Sequence, residues 1–176
     1  RNVTHIARGR LNGANLENVE VIFEGNDAAE SYHHNGCRIR WESNDIFFAS
    51  FGDRRHLIEG AQDLSTSTGT IIRLHADGSI PKDNPFFSTA GARPEIWAYG
   101  IRNAQGLTQH PETGIFWFSD HGPLGGDEIN ILSKGANYGW PLTTYGIDYD
   151  ETIISEDAEL PGITGPLFYW LSLIHI

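Results

Sequence analysis

Apolar and β-branched residues in this chain come in runs of four or five, cut by Gly, Asn, Asp and Pro, and nowhere do they keep a helical period. The pattern predicts strands at Val19 to Phe23, Arg38 to Trp41, Ile46 to Ser50, Thr70 to Leu74, Ile96 to Tyr99, Ile115 to Ser119 and Glu128 to Leu132. Glu42-Ser43-Asn44-Asp45, Ala76-Asp77-Gly78-Ser79 and Pro111-Glu112-Thr113-Gly114 supply turn chemistry between them. The fold class that follows is all-β, with hairpin connections.

Two of these stretches repeat each other. His34-Asn35-Gly36-Cys37-Arg38-Ile39, a turn and Ile46 to Gly52 parallel Arg102-Asn103-Ala104-Gln105-Gly106-Leu107, a turn and Ile115 to Gly122, offset by about 68 to 70 residues. Each copy leads into further strands, and roughly four strands per unit is the make-up of a β-propeller blade. A blade cannot bury both faces alone. Two to three blades therefore predict a larger closed ring of which this chain is a part. His34 and Arg102 stand at equivalent points ahead of a strand, so both are expected at the same face of neighbouring blades, near the central channel.

Composition narrows the class. A net charge of −11 without a Lys/Arg cluster disfavours nucleic acid and anionic membranes as partners, and no apolar run is long enough for a membrane span. Cys37 is the single cysteine, which excludes an internal disulfide and a CxxC site and reads as a small buried thiol.

Three loops carry candidate chemistry. In Tyr99-Gly100-Ile101-Arg102-Asn103-Ala104-Gln105-Gly106-Leu107 the Arg-Asn pair can present a cation and an amide to an anionic ligand, or can be a surface loop with an ion pair. Asp120-His121-Gly122-Pro123-Leu124-Gly125-Gly126-Asp127-Glu128 can turn carbonyls and carboxylates toward a hard cation, or can be an acidic turn. Gly135-Ala136-Asn137-Tyr138-Gly139-Trp140-Pro141 reads as a tight turn with Trp140 as packing anchor.

In this order and spacing the three resemble the glucose/sorbosone dehydrogenase family, the soluble aldose dehydrogenases dependent on pyrroloquinoline quinone (PQQ). The resemblance extends from about Tyr32 to Trp170 and includes Gly52-Asp53-Arg54, Ala61-Gln62-Asp63-Leu64 and Ile72 to Phe86. It implies a six-bladed β-propeller, of which residues 1–170 would form about two to three blades. Ala104 stands where the family usually has proline, so a less rigid turn is expected there. Leu171 to Ile176 depart from the family pattern and read as an artefactual tail.

What the resemblance implies for the site is specific. His34, before Asn35-Gly36-Cys37-Arg38, matches the catalytic histidine that takes the proton of the anomeric hydroxyl while hydride passes to PQQ; an imidazole suits this, being largely neutral and basic near pH 7. His33 stands where an aspartate is common and is expected as a hydrogen-bonding neighbour. Arg102 matches the residue at the quinone oxygens, with Asn103 beside it. Gly122 and Pro123 match the carbonyls that hold the calcium acting as Lewis acid. Glu128, Tyr138 through its carbonyl, and Asp148 match ligands of a second, structural calcium. The implied activity is oxidation of aldose sugars to lactones with PQQ and calcium, in a periplasmic or secreted protein. The alternative is a non-enzymatic, calcium-stabilised propeller that binds a carbohydrate or a protein. An open set of blades leaves unpaired edges, so these residues alone are expected to be poorly soluble and nearly inactive.

Overall fold

A computed structural model describes residues 1–171; all but the first residue of the expected tail lies outside them. Ten strands form three antiparallel sheets, with no α-helix among the described residues. Strands β1 (His5–Asn12) and β2 (Asn15–Glu24) make a hairpin. β3 (Ile39–Trp41), β4 (Ile46–Phe51), β5 (Thr70–His75) and β6 (Ile96–Tyr99) form a four-stranded meander in chain order, and β7 (Ala104–Gln109), β8 (Phe116–Asp120), β9 (Asp127–Ile131) and β10 (Phe168–Trp170) form a second. These are two propeller blades, and the repeat in the sequence is the repeat of the blade.

All seven predicted strands are present, with ends shifted by a few residues at most except in β2, which starts at Asn15. β1, β7 and β10 were not predicted. β1 (HIARGRLN) and β7 (AQGLTQ) lack an apolar alternation, and their pairing comes from β2 and β8. Ala104 opens β7, is fully buried and accepts the Ser50 hydroxyl at 2.8 Å. Burial and this hydrogen bond hold Ala104 where the family usually has proline. Cys37 is exposed rather than buried, because the strand it precedes lies at the sheet edge.

Alternation decides which blade packs on which. In β4, Phe47, Ala49 and Phe51 face the hairpin and join Ile6, Ile72 and Leu74, whereas Phe48 faces the second blade. There it meets Phe116 with ring centroids 4.9 Å apart, beside Ile71, Ala98, Ile101, Leu107, Phe118 and Tyr138. Each buried Phe, Ile or Leu among them stabilises the packing by about 1.5–3 kcal/mol. Trp117 and Ser119 of β8 take the places that Phe48 and Ser50 have in β4, but line an open apolar groove of about 470 Å3. The indole N–H of Trp117 has no partner among the described residues. This is the face a following blade would cover.

Candidate active site

The two copies of the repeat meet at one end of the inter-blade core. Arg102 donates its guanidinium Nη1 to the carbonyls of His121 at 2.9 Å and Gly122 at 2.7 Å, and its ring-facing side lies over Trp140 at 5.4 Å. Beneath it the carboxylate of Asp120, at the end of β8, accepts the N–H groups of Arg102 at 2.8 Å and Asn103 at 2.6 Å, fixing the bend before β7. Complete burial pushes the pKa of Asp120 up to about 6, against the pull of those two hydrogen bonds.

His34 sits at the matching bend before β3, with a φ of 50°. Its Nδ1 lies 2.6 Å from Oδ1 of Asp53, a fully buried carboxylate. The same oxygen accepts the Arg55 N–H at 2.7 Å, and Oδ2 accepts the indole N–H of Trp140 at 2.9 Å. The Arg55 and Trp140 groups can only donate to this carboxylate, so the hydrogen shared with His34 is carried on Nδ1, which in the neutral imidazole makes Nε2 the acceptor. Gly52 makes the approach possible: a Cβ there would overlap the His34 carbonyl.

The bends are tied together. The Asp53 N–H donates to the Arg102 carbonyl at 2.8 Å, and the Gly36 N–H donates to Oδ1 of Asn103 at 3.1 Å. His34, Asp53, Arg102, Pro123, Trp140 and Tyr149 line one cavity of about 280 Å3. Asn103 turns its amide toward the His34 loop instead. His33 donates its N–H to the Ser31 hydroxyl at 3.2 Å.

Of the residues matched to a second cation, Glu128 and Tyr138 share a small cavity with Asp120 and Gly122, while Asp148 lines the His34 cavity. The Tyr138 phenol points into the core, donating to the Ile131 carbonyl at 2.5 Å. Glu128 is pushed up to about 7 by burial and then by the neighbouring Asp120. Among the described residues no three His, Cys, Asp or Glu side chains cluster for a metal. A cation near Gly122 would thus rest on carbonyl oxygens. Carbonyl oxygen is the donor type a calcium takes, and Gly122, with no room for a Cβ beside Gly125 and Gly126, turns its carbonyl inward, where the Arg102 guanidinium now holds it. A flat anionic quinone fits the other side, where Trp140 and Tyr149 flank the Arg102 guanidinium.

Against known proteins, the profile of the Glucose / Sorbosone dehydrogenase family matches residues 1–176. The chain belongs to this family. It is 40% identical over 171 residues to the aldose sugar dehydrogenase YliI of Escherichia coli K12, covering 95% of this chain and 46% of that protein. The apo-form soluble aldose sugar dehydrogenase of E. coli superposes with a TM-score of 0.91 at 37% identity, over 96% of this chain and 49% of that one. The PQQ-bound aldose sugar dehydrogenase of Streptomyces coelicolor superposes with a TM-score of 0.72 at 27% identity, over 92% of this chain and 42% of that one. The chain thus spans about half the length of these glucose/sorbosone dehydrogenase relatives, and its two blades are part of a β-propeller.

Sequence reasoning did not assign Asp53, Arg55 or Tyr149. For Asp53 a signal existed in the repeat, which sets it where the second copy has Gly122. In each copy the second residue after the strand accepts from the polar residue before the preceding strand, Asp53 by its side chain from His34 and Gly122 by its carbonyl from Arg102.

Proposed function

We propose that the protein is an oxidoreductase that oxidises the anomeric hydroxyl of aldose sugars to lactones, with PQQ as hydride acceptor and calcium as Lewis acid. The observation that carries this is the His34–Asp53 pair, 2.6 Å apart, lining the same cavity as the Arg102 guanidinium. Family membership and the PQQ-bound relative support it.

Within that reading Asp53 holds the His34 ring and its tautomer, so Nε2 is the base that receives the proton of the anomeric hydroxyl. Asp53 also stabilises the imidazolium that results. PQQ, when bound, supplies a quinone carbon that accepts the hydride from the anomeric carbon, leaving the C=O of the lactone, and calcium on the Gly122 and Pro123 carbonyls would polarise that quinone. Arg102 places a fixed positive charge where the quinone oxygens gain electron density, and Asp120 keeps its backbone in place. Glu128 and Tyr138 would hold a second calcium, with Asp148 more remote.

The test is sugar-dependent dye reduction by the full-length protein given PQQ and calcium. Turnover is expected with both and not without PQQ. A His34→Ala protein that binds PQQ and turns over as fast as wild type would refute the assigned base. If calcium raises the melting temperature while PQQ neither binds nor supports turnover, the non-enzymatic propeller is the better reading.

A further inference from the structure

The turn after Asp53 carries a feature that the proposed chemistry does not use. Arg54 and Arg55 are both in the left-handed region, with φ of 57° and 61°. Two such residues in succession, neither a glycine, cost about 1–2 kcal/mol each and persist where their surroundings hold them. Here the hold is plain. The Arg54 guanidinium is buried, 3.6 Å from the Asp27 carboxylate, and donates to the Ser31 carbonyl at 2.9 Å and to the Asn2 side-chain oxygen. The Arg55 N–H is fixed on Asp53. With Arg54 turned inward, Arg55 is turned out into the cavity that His34 and Arg102 line.

There its guanidinium rests 5.0 Å from the centroid of the Tyr149 ring, with the Arg102 guanidinium 6.0 Å from the same ring. Among the described residues no carboxylate pairs with the Arg55 guanidinium. The two that line the cavity are engaged elsewhere: Asp53 by His34, Trp140 and the Arg55 backbone, and Asp148 by the Tyr149 N–H at 2.7 Å. A chain of net charge −11 thus keeps two guanidiniums on one aromatic ring at this site, one of them without a hydrogen-bond acceptor among the described residues. A planar fork of free donors on an aromatic platform is the arrangement that recognises a carboxylate.

We propose that Arg55 binds a carboxylate of the ligand in this cavity. This rests on the sugar-oxidising reading, in which two ligands can bring that group: an acidic aldose such as a uronic acid, or the cofactor with its own carboxylates. Arg55 is exposed where Arg102 is buried, and the outer place in the shared cavity favours the sugar.

The experiment compares wild type, Arg55→Gln and Arg55→Lys in the full-length protein. The kcat/KM for D-glucuronate is measured relative to that for D-glucose, and PQQ affinity by fluorescence titration without turnover. Loss of the charge is expected to lower the glucuronate-to-glucose ratio about tenfold or more, with partial recovery in the lysine variant. Added salt lowers the same ratio in wild type. An unchanged ratio with PQQ binding weakened about tenfold assigns the carboxylate to the cofactor. If Arg55→Gln moves neither quantity, the proposal is overturned. A wild-type protein that oxidises neither sugar removes the proposed reaction, while titrations with PQQ and with glucuronate still judge Arg55.

Discussion

Replacing Asp53 by Asn tests the reading of the site most sharply, because the shape is kept and only the hydrogen-bonding sense changes. Oδ1 faces two donors, His34 Nδ1 at 2.6 Å and the Arg55 N–H at 2.7 Å, and Oδ2 faces the Trp140 indole N–H at 2.9 Å. An amide can serve only one side. With its oxygen toward His34 and Arg55, its NH2 meets the indole N–H, and two buried donors are left facing each other at about 1–3 kcal/mol each. With its NH2 toward His34, the imidazole is driven to the tautomer that carries its hydrogen on Nε2, and the base is lost. The expectation is a fall in kcat of about 10²–10⁴-fold together with a stability loss of about 2–6 kcal/mol. Dye-coupled kcat at saturating sugar, with PQQ and calcium present, reads the first. Thermal melting of the same full-length protein reads the second. A variant with kcat within about threefold of wild type and an unmoved melting temperature would refute the role given to Asp53.

Three further predictions follow from the packing and the buried charges. Phe118→Ala removes a ring packed edge-on to Tyr138 at 4.8 Å in the inter-blade core and should cost about 3–5 kcal/mol in denaturant unfolding; a loss below about 1 kcal/mol would mean the blades do not share that core. Gly100→Ala, at a φ of 71° where a Cβ would overlap Oδ1 of Asn137, should destabilise by about 2 kcal/mol or more, and a neutral result would contradict the close contact between the arginine loop and the Asn137 loop. Asp120 and Glu128, at about 6 and about 7, bind protons more tightly folded than unfolded, so their contribution to stability is present below the ordinary carboxylate range and is lost as pH rises through 6 and 7. In chelator, Glu128→Gln should therefore gain stability relative to wild type between about pH 5 and pH 8, read as the difference in melting temperature; a gap that narrows as pH rises would have the wrong sign.

The positions of His34 and Arg102 at equivalent bends were legible from a repeat, since a blade fixes where its first strand begins. The all-β class was legible for the same local reason: alternation and turn residues act within a few positions. β1 and β7 were not, because their residues carry little strand preference and gain their place by pairing with β2 and β8, whereas β10 has strand-forming aromatics but is only three residues long and is defined by its pairing with β9. The supporting carboxylate of His34 was beyond local reading as well. Asp53 lies 19 residues from His34 and 87 from Trp140, and only the folded chain brings both onto its two oxygens. Sequence matching grouped Asp148 with Glu128 and Tyr138; the folded chain brings it to the His34 cavity, on a loop whose Tyr149 hydroxyl accepts from the Arg102 guanidinium at 3.4 Å. By itself, then, the sequence determined the strands, the repeat and the residue types that the chemistry needs. Tertiary structure alone decided which carboxylate meets His34 and which arginine turns into its cavity, because both depend on contacts between residues far apart in the chain.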